Sequence, residues 1–502
     1  MTANIRASYD EVPYRSLPLR QTHPEHLATV GSLFGFAAAR VDRCRVLELG
    51  CASGGNLIPM AVSYPDSVFV GVDLSPVQIN EGVADVQRLA LGNIRLLSMD
   101  VLEFDAAFGM FDYVIAHGIY SWVPPKVQES ILELCARQLA PEGIAIVSYN
   151  TLPGWRMLAI VRDAMRRQSR GIADAKARIA QARATLAFLG ESVQGDDSAY
   201  AKLLRMAAEN LRQKPDYYVL HEYLEETNEA LYFHEFIERV ERHHLRYLGE
   251  ADVKLMLSTG LPAPTLQTLN RIASDLMERE QLLDFLRNRT FRQTLLIREG
   301  PPLDRKVSAE RVKSLWIAAP FASTDSLAGL SSGDALRFQL PDGRGLEVQN
   351  PISKAAFLIL AERWPLAISF PDLYSDAASR LGARLGDVDQ RDLLAAEILR
   401  CFARDAVELH CGPSPFVLTP GLHPEACPLA RLQAAREASV TNRRHEVVPL
   451  DEESRAVLSL LEGTRTAPEI AAIRWPELPA DERVARFATA VAKLGRQALL
   501  VR

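Results

Sequence analysis

Long apolar runs are missing from this 502-residue chain. The longest covers residues 355–361, far short of the roughly 20 residues that cross a bilayer. The first residues, Met-Thr-Ala-Asn-Ile-Arg, carry no apolar segment behind their charge, so no signal peptide and a cytosolic setting are expected. Paired cysteines are missing too. Cys44, Cys51, Cys135, Cys401, Cys411 and Cys427 show no C-x-x-C spacing, which argues against a structural zinc site or a disulfide framework. No metal is expected, and reduced, mostly buried thiols are. A basic excess is also absent. Net charge is −6, residues 1–300 hold 32 basic against 37 acidic side chains, and the rest hold 25 against 26. That balance disfavours a nucleic-acid partner. Lysine is scarce, 9 of 57 basic residues, which reads as genome composition.

What is present is an alternation. Apolar runs at 45–50, 68–73, 94–100, 111–117 and 143–150 read as strands, with helix-length segments such as 76–91 and 126–139 between them. This pattern predicts a parallel α/β sheet covered on both faces, with ligands at the carboxyl ends of its strands. Those ends are chemically distinctive. The first runs into Glu48-Leu49-Gly50-Cys51-Ala52-Ser53-Gly54-Gly55-Asn56 and then a helix. Gly50 and Gly54 let backbone approach a ligand, and the new helix offers free N–H groups. Asp73 ends the second strand, 19 residues beyond Gly54, where a carboxylate suits the two hydroxyls of a ribose. Met99-Asp100-Val101 ends the third, where a carboxylate can accept from an exocyclic adenine amine. Three such ends in register point to a nucleoside site.

The loop 48–54 with Asp73 and Asp100 resembles the S-adenosylmethionine (SAM) site of class I methyltransferases, with Ala52 in place of the middle glycine. A Rossmann dehydrogenase is the competitor. Its G-x-G-x-x-G would need a glycine at 52, and Glu48 inside the first strand also favours SAM. The segments 9–14 (Tyr-Asp-Glu-Val-Pro-Tyr), 22–24, 117–124 and 148–155 look like bacterial methyltransferases that carry a methyltransferase regulatory domain. Segments 221–225, 233–236 and 284–292 look like that regulatory part itself, as in rickettsial-type protein lysine methyltransferases. The resemblance implies a cofactor site of Tyr9, Glu48, Gly50, Ala52, Ser53, Gly54, Asn56, Asp73, Leu74, Asp100, Val101 and His117. It implies Tyr14, Tyr120, Trp122 and Asn150 at the acceptor, with Tyr9 and Tyr14 on a lid. His117 is expected to touch the methionine part of SAM through its backbone. His23 beside Pro24 reads either as a helix cap or as part of that lid.

The remaining segments extend the picture. Residues 154–170 read as a helix with Arg162, Arg166, Arg167 and Arg170 on a polar face, and 171–215 as two or three inserted helices. Residues 245–248 and 291–297 are expected as the sixth and seventh strands. The expected domains are 1–300 (methyltransferase, with a regulatory or lid segment at about 171–300), 301–425 (a β element and a winged-helix-like module) and 426–502 (a small helical or winged-helix-like module). The wing of the first module is expected from strands at 407–410 and 415–418. His221, Glu222, His234 and Glu235 match no zinc spacing and are expected on helix surface.

The function expected from the resemblance is SAM-dependent methyl transfer to a protein, most specifically to lysine, with no membrane insertion. A small-molecule O- or N-methyltransferase stands as the alternative enzyme. A SAM-sensing regulator or scaffold stands as the alternative of another class.

Overall fold

The computed structural model describes residues 10–257, 260–300, 303–323, 334–382 and 389–501. Tyr9 lies outside them. The apolar runs form strands β1 (Arg45–Leu49), β2 (Val68–Asp73), β3 (Ile94–Ser98), β4 (Phe111–Ala116) and β5 (Leu139–Asn150), then β6 (Leu245–Glu250) and β7 (Phe291–Arg298). They make one sheet in the order β3-β2-β1-β4-β5-β7-β6. The first five are parallel, and β7 runs antiparallel to both β5 and β6. Asn150 at the end of β5 therefore sits opposite Phe291 at the start of β7, so both ends reach the same edge of the sheet. β1, β4 and β5 are buried almost throughout, as a sheet covered on both faces requires.

Two inserted helices, Ala175–Ser192 and Ala199–Arg212, pack with Trp155–Gln168 around their own apolar cluster, which includes Ile179, Leu186 and Leu204. The chain then returns through a short helix, Asp216–Val219, and one π-helical turn, Leu220–Leu224, to helix Phe233–Arg242 and β6.

β7 carries a buried ion cluster. Arg292 donates to Glu250 (2.6 Å) and to both oxygens of Asp284 (2.9 and 2.8 Å), and lies 3.3 Å from Glu280. Its guanidinium also stacks 3.9 Å above the ring of Phe233, and Arg289 reaches Glu250 at 3.2 Å. Arg292, Glu250, Glu280 and Asp284 are all fully buried. Removing this cation leaves three buried carboxylates with Arg289 the nearest remaining cation, so Arg292→Met is expected to cost about 3–5 kcal/mol in urea unfolding. A loss below about 1 kcal/mol would contradict this account.

The C-terminal half wraps back onto the N-terminal part. Strands Ala322–Ser323, Leu336–Gln339 and Gly345–Val348 form one small antiparallel sheet. Helices Pro351–Arg363, Phe370–Leu381 and Arg391–Phe402 follow. The expected wing is corrected here. Glu408–His410 pairs with Trp316–Ala318, not with residues 415–418, and Val417 makes only a single bridge to Leu500. Among the described residues no helix is long and apolar enough to cross a membrane. The six cysteines are free, and all but the half-buried Cys411 are buried.

The N-terminal helix Pro24–Leu33 joins the two halves. His23 caps it by accepting the N–H of Glu25 at 3.1 Å, so of its two expected roles the cap is the one seen. Arg20 grips Glu408 with two bonds (2.9 and 2.8 Å), and Glu25 accepts the N–H of Cys411 and faces His410 at 3.3 Å. Despite its burial, Glu25 and Glu408 raise His410 to about 9; His410, opposing the same burial, lowers Glu25 to about 2. The histidine contribution is complete below pH 6.5 and is lost as pH rises through about 9. The Glu25 contribution is present above pH 4.5 and is lost as pH falls through about 2. Wild-type stability is expected to fall between pH 6.5 and 9 by at most about 3 kcal/mol, and His410→Ala to flatten that slope in chemical denaturation. An unchanged slope would refute it.

Candidate active site

The turn after β1 sets the site. Gly50, Ala52 and Gly54 all have positive φ (73°, 50° and 76°) before helix Leu57–Ser63 begins. For Ala52 this backbone costs roughly 1–2 kcal/mol relative to an ordinary conformation. Asp73 holds the turn in place. One of its oxygens accepts the N–H of Ala52 (2.9 Å), and the other accepts the N–H of Ser75 (2.9 Å). Each oxygen keeps a lone pair for a further donor. Asp100 accepts the N–H of Leu102 at 3.0 Å and so is fixed at the end of β3.

Glu48 is buried beneath this turn. Its Oε1 accepts from Asn56 Nδ2 at 2.8 Å, while Oε2 is buried with no partner. Burial pushes its carboxyl up to about 7; the Asn56 bond opposes this and the nearby Asp73 adds to it. His117, at the end of β4, accepts from Gln293 Nε2 at 3.0 Å, and burial takes it down to about 4. Its imidazole is therefore neutral near pH 7.

These ends open on one cavity of about 530 Å³. It is lined by Glu48, Gly50, Ala52, Asp73, Leu74, Asp100, Val101 and His117, and by the aromatic rings of Tyr14, Trp122, Trp155, Tyr217, Tyr218 and Phe291. Trp122 stands edge-on to Trp155 (centroids 6.2 Å apart), and Tyr14 edge-on to Tyr217 (5.1 Å). Asn150 faces the same space, its N–H donating to Ser121 Oγ (2.9 Å) and its Nδ2 to Asn228 Oδ1 (3.3 Å).

One carboxylate joins the aromatic part. Glu222 is raised to about 7 by burial, against the pull of His221. His221 is buried between Val12 O (Nε2, 2.7 Å) and Glu225 Oε1 (Nδ1, 3.0 Å), which fixes the turn that carries Glu222. Burial, and then Glu222, hold the Tyr14 phenol above its usual range.

The geometry brings most of the expected residues together and corrects some. Tyr120 does not reach the cavity. It is fully buried in the core, edge-on to Phe236 (5.4 Å) and Tyr149 (6.4 Å). Ser53 and Gly54 do not line the cavity: a Cβ on Gly54 would meet Leu96 of β3 and Ile58 of the following helix, and a Cβ on Gly82 would meet the Ser53 carbonyl. Asn56 lines the cavity, but its amide is fully used. It donates to Glu48 and Thr22 Oγ1 (2.9 Å) and accepts from Leu19 N (2.9 Å) and His445 Nε2 (2.7 Å). His221 and Glu222, expected on helix surface, line the site instead, as do Trp155, Tyr217 and Tyr218. The signal for them was the cluster of tyrosines at 217, 218 and 223. His234 bonds Gln281 and Glu235 caps its own helix. No cluster able to hold a metal ion occurs among the described residues.

The partnerless oxygen of Glu48, the spare lone pairs of Asp73 and the aromatic extension suit a nucleoside bearing a cation. Comparison with known proteins agrees. Residues 46–143 match the family model described as a methyltransferase domain, 215–298 a predicted methyltransferase regulatory domain, and 423–474 the C-terminal winged helix domain of PKMT. The structure of PKMT2 from Rickettsia typhi in complex with AdoHcy superposes with a TM-score of 0.86 at 30% identity, covering 98% of this chain and 100% of that one. An uncharacterized protein of Rickettsia prowazekii is 39% identical over 378 residues, 74% of this chain and 68% of its own length. A second from that organism is 40% identical over 243 residues, 48% of this chain and 97% of its own.

Proposed function

This chain belongs to the PKMT-type class I SAM-dependent methyltransferases, and on that premise we propose that its acceptor is the side-chain amine of a lysine in another protein. The observation that carries the proposal is the group of aromatic rings that shares the cavity with the nucleoside residues, with the Glu222 carboxylate beside Tyr14.

Asp73 and Asp100 would hold the ribose and adenine, Gly50 and Ala52 would let the backbone close on them, and Glu48 would meet the ammonium of the methionine part. Leu74, Val101 and His117 complete that wall. When bound, SAM supplies an electrophilic methyl carbon with a sulfonium leaving group. The chain's own task is then to align a neutral amine and exclude water. A lysine is charged near pH 7.4, and making it neutral costs about 4 kcal/mol. Tyr14, Trp122, Tyr217 and Tyr218 enclose the amine and its stem, which favours the uncharged form. Glu222 accepts its proton, and Asn150 orients it. The modules at 301–425 and 426–502 serve as surfaces that recognise the acceptor protein.

The test is incubation with methyl-labelled SAM and a size-fractionated lysate of the host, followed by hydrolysis of labelled protein. Methyl-lysine is the expected product. Label confined to small molecules, or to another side chain, would overturn the assignment.

A further inference from the structure

We infer that His445, in the C-terminal module, is a positioning residue of the cofactor site and sets the orientation of Glu48 through Asn56. The two ends of this connection are 389 residues apart, counted from Asn56 to His445. His445 lies in the turn joining strands Ser439–Thr441 and Val447–Pro449, with φ of 62°. That turn is tightly held. Asn442 Oδ1 accepts the N–H groups of Arg444 (2.9 Å) and Glu446 (3.0 Å). The Arg444 guanidinium also bonds Glu408 and lies 4.5 Å over the ring of Trp364.

The hydrogen bonds have a forced direction. Leu19 N–H can only donate, and it points at Asn56 Oδ1, so that atom is the acceptor. His445 Nε2, 2.7 Å from the same oxygen, must therefore carry a proton. Asn56 Nδ2 then donates to Glu48 Oε1 at 2.8 Å. This fixes which Glu48 oxygen is occupied, and Oε2 is left without a partner. Burial first, and then the neighbouring His23 and Arg20, keep His445 uncharged, as a single Nε2–H donor. Without His445 the Asn56 amide keeps Leu19, Thr22 and Glu48 but loses one of its two Oδ1 donors, so the amide, and Glu48 through it, is held less tightly.

The test uses the full chain and AdoHcy as probe. His445→Asn suits the left-handed backbone but cannot reach Asn56, whereas His445→Gln can again donate. Expected for His445→Asn is about tenfold weaker AdoHcy binding by calorimetry and a KM for SAM raised equally, with kcat at saturating SAM within twofold. His445→Gln is expected to restore most of the affinity. A merely structural role would lower the melting temperature of both variants and leave AdoHcy affinity below that temperature unchanged. That result, or equal loss in both variants, would overturn the inference.

Discussion

Asp73→Ala is expected to weaken AdoHcy binding at least a hundredfold and to abolish detectable methyl transfer. Asp73 acts twice. Its two oxygens hold the N–H groups of Ala52 and Ser75, and so shape both loops. Their remaining lone pairs are what a ribose diol would use. Hydrogen bonds to a charged partner contribute about 1.5–3 kcal/mol each, and losing two exceeds a hundredfold. Ala52 already holds an unfavourable φ of 50°, so releasing its N–H also lets the turn relax. Asp73→Asn keeps one acceptor and should fall between. Affinity within threefold of wild type in Asp73→Ala, with the fold intact by circular dichroism, would refute this role.

The second large effect is expected at Glu222. Glu222→Gln keeps shape and removes the proton acceptor. It should lower kcat about a hundredfold, the lower end for a positioned general base, with AdoHcy affinity within threefold. Glu222 is raised to about 7, so it is mostly neutral below that pH and a carboxylate above it. Wild-type kcat is expected to rise with pH through about 7, and the variant to lack that limb. Glu48 also lies near 7, but it faces the nucleoside half, so its ionisation should show in the KM for SAM. Measuring kcat at saturating SAM separates the two. A limb that persists in Glu222→Gln would move the base elsewhere.

The sheet was legible because its strands are short, largely apolar stretches set apart by helix-length segments, and the nucleoside half because its residues sit at consecutive strand ends. Gly50, Ala52, Asp73 and Asp100 could be read from local spacing alone. The acceptor half could not. Leu220–Leu224 forms a π turn, which has more residues per turn than an α-helix, so ordinary helical periodicity places His221 and Glu222 on the wrong face. Tyr120 follows β4 as Trp122 does, but a 3-10 turn sends one inward and the other to the cavity. The pairing of Glu408–His410 with Trp316–Ala318 joins segments about 90 residues apart, and no local pattern reports it. Helix Ala263–Ile272 buries only Leu269.

The grip of Arg20 on Glu408, and of Glu25 on His410 and Cys411, has a consequence for biosynthesis. The first seven strands leave the ribosome well before residues 408–445 do. Until then Arg20, Glu25 and Asn56 lack their partners Glu408, Cys411 and His445. Closing so long a span is slow and comes last. A chain cut short by a premature stop would carry the whole sheet and still lack the His445 bond to Asn56 behind its nucleoside half.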